Sequence, residues 1–248
     1  MKSWLAFALL AVVLAGFFWP GLADIADSRD PNDPNLFNFV RLRYNGFIGN
    51  WTTWGGWTVP WAHDYPRAEQ NFLKILAELT TVETTPDSYL VLDMDDPEIM
   101  NYPVVYVSEP GYWNCTQEEV TNLREYLDRG GFIIFDDFRD SRGEWENFAR
   151  CMQQVAPGRV MQQLSNDEPI FHCFYNLSFE DMPAPYNVPG DPVYYGLVDD
   201  DGRVQVIANF NNDIGDYWEW SDQSLVPIAL SNEAYKFGIN YVIYALTH

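Results

Sequence analysis

The chain is predicted to fold as an α/β protein, with a mostly parallel sheet between two layers of helices. Three features predict this. Short apolar runs such as "FIIFDD" at residues 132–137 lack polar alternation, as strands do when both faces are covered. Between these runs lie segments whose apolar residues recur at helical spacing. The two kinds alternate along the chain, the order that gives parallel strands joined by crossover helices.

The elements follow in order. Lys2, an uncharged run over residues 4–19, the break Pro20-Gly21 and the small Ala23 have the layout of a signal peptide spanning residues 1–23. The uncharged run is short for a span, which needs roughly 20 apolar residues. An acidic polar linker, residues 24–36, leads into one domain over residues 37–248. "FNFVRLRY" (37–44) reads as a strand and "NGFIGNWTTWGGWTVPW" (45–61) as a Trp-rich loop. A helix is predicted from Pro66, with Phe72, Leu73, Leu76 and Leu79 on one face, since proline suits a first turn. "SYLVLD" (88–93) and "YPVVYVSEP" (102–110) are buried strands. Thr116 and Glu119 form a capping box for a helix that stops at Gly130-Gly131, just before "FIIFDD".

Trp145, Phe148, Met152 and Val155 mark a further helix, ended by Pro157-Gly158. "PIFHCFY" (169–175) is expected to be a strand. "PVYYGLV" and "RVQVIANF" flank an Asp-Gly turn and form an added C-terminal β-hairpin. Residues 232–247 close the chain as a helix.

The 36 acidic and 14 basic residues give a formal net charge of −22, which repels nucleic acid and anionic lipid surfaces. Of the three cysteines, Cys115 reads as an incidental loop thiol, and Cys151 with Cys173 is the candidate bridge. The absence of a C-x-x-C pair argues against structural zinc and thioredoxin-like chemistry. No cofactor is implied, because the glycines beside Trp57 lack the downstream pattern of a phosphate loop.

In an open parallel sheet, ligands bind beyond the carboxyl ends of the strands. Those ends carry Arg43, Tyr44, Glu109, Asp136, Asp137 and His172. The Trp-rich loop adds Trp57 and the loop after it Asp64, beside His63, while "DIGDYWEW" (213–220) adds Asp216 and Trp218. These ten residues are the candidate ligand-binding set. Within it Glu109, Asp136 and Asp137, with His172, His63 and Asp64 as further donors, are the donor types a hard divalent cation takes. Adjacent aspartates at a strand end also serve simply as helix caps, so capping and ligand binding both stay open.

The stretch "YPVVYVSEPG…LREYLDRGGFIIFDDF" resembles the centre of the class I glutamine amidotransferase-like, flavodoxin-like fold. More closely, "FVRLRY", "DYPRAEQNFL", "LREYLDRGGFIIFDDF", "YYGLVDDDGRVQVI", "NNDIGDYWEW" and "GINYVIYALT" resemble a bacterial domain-of-unknown-function family (DUF4159). The resemblance implies a three-layer α/β/α sandwich. Where amidotransferases carry a nucleophilic cysteine, this chain has Asp136 or Asp137, and a carboxylate does not replace sulfur in thiol acyl transfer. The expectation is therefore an exported, periplasmic or secreted envelope module that binds another envelope protein or a small ligand, with no membrane span after signal cleavage. The alternative is a carboxylate- or metal-assisted hydrolase acting on carbohydrate.

Overall fold

The computed structural model describes residues 35–46, 59–139, 143–182 and 190–248. Its strands are β1 (Phe39–Arg43), β2 (Tyr89–Asp93), β3 (Val104–Ser108), β4 (Phe132–Phe138), β5 (Gln162–Gln163), β6 (Val193–Val198) and β7 (Val204–Phe210). They form one sheet in the order β2-β1-β3-β4-β7-β6-β5. The strands from β2 through β7 in that order are parallel, and β6 and β5 are antiparallel to their neighbours.

Helices α1 (Arg67–Leu79), α2 (Gln117–Asp128), α3 (Glu144–Val155), α4 (Ile214–Glu219) and α5 (Ile228–Thr247) complete the layers. Successive side chains of a strand point to opposite faces, and β4 shows the result. Phe132 and Ile134 enter the core shared with α1, α4 and α5, whereas Ile133 and Phe135 enter the core shared with α2 and α3. Burial on both faces explains the unbroken apolar run, each such side chain contributing about 1.5–3 kcal/mol. The predicted α/β/α sandwich is thus the observed one.

Local chemistry accounts for the helix positions. Thr116 accepts the Glu119 N–H at 3.2 Å while Glu119 accepts the Thr116 N–H at 2.9 Å, so α2 begins at the expected capping box. Glu119 also accepts the Trp113 indole N–H at 3.0 Å, which ties the cap to the core. On α5, a Cβ at Gly238 would lie 2.5 Å from the Trp218 ring, so the missing side chain lets α4 seat against α5. No helix of the described residues is long and apolar enough to cross a membrane.

The expected C-terminal hairpin is present as the antiparallel pair β6–β7, with β7 beside β4 and β6 outside it. Two expectations change. Residues 169–175 are no strand. Pro169 opens a 3-10 turn (Pro169–Phe171), and Asn240 of α5 supplies the hydrogen bonds a neighbouring strand would give. It donates to the carbonyls of Ile170 (3.1 Å) and Tyr175 (2.9 Å) and accepts the Tyr175 N–H at 2.8 Å. Finally, Cys151 bonds to Cys115, not Cys173. Cys115 precedes α2 and Cys151 lies on α3, which packs beside it, whereas Cys173 sits in the core on the other face of the sheet.

Candidate functional site

β1 connects through α1 to β2 on one side, and β3 pairs on its other side, so strand order switches at β1. Loops following β1, β3, β4 and β7 converge there. The β1 loop is fixed by Arg41, a fully buried residue at the centre of β1. Its guanidinium pairs with the equally buried Glu69 of α1, and donates to the carbonyls of Trp61 (3.0 Å) and His63 (2.8 Å). It also stacks over the Tyr106 ring. One cation thereby holds the turn that delivers His63 and Asp64.

Asp64, Glu109 and Asp137 all adopt left-handed backbone conformations, with φ of 65°, 52° and 57°. Non-glycine residues held there cost about 1–3 kcal/mol each and cluster at functional sites. Asp137 is the residue at which β4 leaves the sheet register. Its Oδ2 lies 2.5 Å from His63 Nδ1, and the same nitrogen is 3.7 Å from Asp64 and 3.8 Å from Glu109. Arg139 stands 3.4 Å from both Asp137 and Asp213.

Asp136 faces a different set of partners. It accepts from the Tyr106 hydroxyl (2.8 Å), the Asn209 amide (2.9 Å) and the Gly215 N–H (2.9 Å). Asn209 in turn accepts from the Tyr241 hydroxyl of α5 at 2.8 Å. Asp213 caps α4 by accepting the Asp216 N–H at 2.9 Å. The start of α4 must carry glycine, because a Cβ at Gly215 would fall 2.5 Å from Asp64 Oδ2 and 2.8 Å from the Tyr106 hydroxyl. Neither oxygen of Asp64 has a hydrogen-bond donor. Asp216 and Glu219, one turn apart on α4, bring carboxylate oxygens close to it: with Asp64, one oxygen of each lies within 4.8 Å of the others.

The trough therefore gathers the carboxyl groups of Asp64, Glu109, Asp136, Asp137, Asp213, Asp216 and Glu219 around His63 and Arg139. Burial opposes charge on all of them. Burial first, and then neighbouring aspartates, pushes Asp64, Glu109 and Asp213 well above the usual carboxylate range. Burial also raises Asp216 and Glu219, with neighbouring acids adding to it. Asp136 is pushed up to about 6 by burial, tempered by the Asn209 amide. At Asp137 burial is outweighed by the His63 cation, its hydrogen bond and Arg139, which hold the carboxyl below the ordinary range. At His63 burial is likewise outweighed by Asp64 and Asp137, and the imidazole is raised to about 11. His63 and Asp137 are thus an imidazolium–carboxylate pair at neutral pH.

Of the residues picked from sequence, Asp64, Glu109, Asp136, Asp137 and Asp216 meet in this trough. Tyr44 lies beneath it, its hydroxyl donating to the Glu109 carbonyl at 2.6 Å. Arg43 does not reach it: it sits on the exposed edge, paired with Asp93 at 2.5 and 2.7 Å. His172 is exposed elsewhere, bonded to Asn176 and the Asn166 carbonyl. Trp218 is fully buried against Phe72 with ring centroids 4.5 Å apart, because the α4 face that carries it turns into the core. Trp57 lies outside the described residues. Sequence reasoning missed Arg41, Asp213 and Glu219. A charged residue inside "FVRLR" was the available sign of Arg41, and the spacing Asp216–Glu219 that of a shared helix face.

Fold and site together define a doubly covered parallel-sheet protein with an acidic trough, and no thiol, at its strand switch. The chain belongs to the family described as "Domain of unknown function (DUF4159)", whose model matches residues 38–246. No curated protein matches the chain.

Proposed function

We propose that this chain is an exported binding module of the cell envelope, an amidotransferase-like scaffold that uses its strand-end trough to capture a positively charged ligand or partner. The observation that carries this reading is the His63–Asp137 pair at the β4 elbow. An imidazole already protonated at neutral pH is no general base, and an ion-paired carboxylate is a quenched nucleophile. What the trough retains is an excess of carboxyl groups over cations, and an arriving cation favours release of the protons that burial holds on them. The signal-peptide pattern at residues 1–23 supports export, and the Cys115–Cys151 bridge suits an oxidising compartment.

Two measurements test it. N-terminal sequencing of the protein recovered from the envelope is expected to begin at Asp24. Native mass spectrometry of the same material is expected to show a cationic ligand or partner that is lost from Asp137→Asn and Glu109→Gln. Recovery of an uncleaved cytoplasmic chain, or capture that ignores both substitutions, overturns the reading.

The strained backbone of Asp137 and Glu109 favours a second reading, a carboxylate-assisted hydrolase acting on a sugar. Turnover of glycosides that disappears in Asp137→Asn, with folding intact, would replace the first reading by this one.

A further inference from the structure

The two halves of the trough differ in how their charge is balanced. Asp137 has His63 and Arg139 against it. Asp64, Asp216 and Glu219 have no such direct partner: the nearest cation to Asp64, the His63 ring, is 3.7 Å away and directed at Asp137. Asp64 is only 4% exposed, and both of its buried oxygens lack a donor. A buried carboxylate without a donor is costly, so it either keeps a proton, as burial makes Asp64 do, or exchanges that proton for a bound cation.

We propose that Asp64, Asp216 and Glu219 form a binding site for one calcium-sized divalent cation. The donors are all carboxylate oxygens, the hard set that calcium takes and that softer metals do not select. Their oxygens all lie within 4.8 Å of one another, close enough to share one ion, and three protein carboxylates are more than the one or two that magnesium usually takes. The site is also built. Gly215 leaves room for Asp64 against α4. The Asn71 amide donates to the carbonyls of Trp218 (2.9 Å) and Glu219 (3.3 Å) and anchors the end of α4, while the Trp220 indole donates to Asp216 Oδ1 at 3.3 Å and orients that ligand. Asp216 and Glu219 are half-buried, so the ion reaches solvent on one side and keeps positions for water or for an anionic group of a partner.

This deepens the reading of the trough as a receptor for positive charge. The experiment is calorimetric titration of the chelator-treated protein with CaCl2, then MgCl2 and ZnCl2. One calcium per chain is expected, bound more tightly than magnesium, weakened at least tenfold by Asp216→Asn and by Glu219→Gln, and retained by Asp137→Asn. Circular dichroism melts without calcium check that the variants fold. Glu219→Gln, on a half-buried side chain, decides the matter if Asp216→Asn does not fold.

Absence of calcium binding overturns the proposal, as does binding indifferent to Glu219→Gln. Zinc bound more tightly than calcium and lost in Asp137→Asn would place the ion on His63 and also overturn it. If calcium does not bind yet Asp137→Asn abolishes ligand capture, the cation site fails and the binding module stands. If calcium binds through Glu219 while the trough captures nothing else, the reverse holds.

Discussion

Asp136 and Asp64 are buried alike, at 0% and 4% exposure, on either side of Gly215, yet they live by opposite rules. Asp136 is enclosed by the donors of Tyr106, Asn209 and Gly215, and its role is complete within the fold. Asp64 has comparable burial and no donor at all. Burial of charge therefore says little by itself; what separates architecture from function is whether the protein supplies the partners. Arg41 and Glu69 supply each other's charge partner within the fold, whereas Asp216 and Glu219 set two more carboxyl groups against Asp64.

The sharpest way to break this comparison is Arg41→Ala. It strands Glu69 without its partner and frees the 61–63 turn, and removing one member of a buried pair costs about 3–5 kcal/mol. Urea denaturation measures it, and the Arg41→Met, Glu69→Met double variant is expected to recover most of the loss.

Next is pH. Asp136 titrates near 6 in the fold against an ordinary 3.8, so the folded state binds its proton more tightly than the unfolded one. For a carboxyl with a raised value, stability is present at low pH and declines as pH rises from about 4 to 6. The decline is about 3 kcal/mol at 1.36 kcal/mol per unit. Burial sets the shift, the charge on Asp137 adds to it, and the hydrogen bonds of Asn209, Gly215 and Tyr106 reduce it. Thermal melts across that range check the sign, and Asp136→Asn is expected to reduce the slope, leaving the part that Asp64, Glu109 and Asp213 contribute in the same direction.

A smaller effect has the opposite direction. In metal-free protein Asp64→Asn removes an uncompensated carboxyl and adds two donors facing Asp216 and Glu219, so stability is expected to rise by about 1 kcal/mol. A fall of that size in the same melts would assign Asp64 to the satisfied group. Smallest is Arg43→Ala, which removes an exposed pair with Asp93 and is expected to cost less than about 1 kcal/mol.

The layered fold and the strand-end placement of the candidate carboxyl groups were legible in the sequence, because periodicity is a local signal. "FIIFDD" shows where a doubly covered strand stops, and the Thr116–Glu119 box shows where a helix starts. Partnership is not local. Arg41 and Arg43 are two residues apart on one strand, and only the position of Glu69 on α1 decides which of them is buried. The sequence offered Cys173 as the partner of Cys151, and only the sheet, which lies between those two, gives Cys151 to Cys115 instead. The left-handed turns at Asp64, Glu109 and Asp137 carry no glycine to announce them.

The place of β7 beside β4 has a consequence for how the protein is made. A nascent chain that ends before Val204 presents β4, apolar through Phe135, with an open hydrogen-bonding edge, the kind of edge that recruits other chains. The sheet closes only after Phe210 has emerged. A polypeptide wired this way leaves its central strand unpaired until most of it has been made, which lengthens the interval in which β4 can meet another chain.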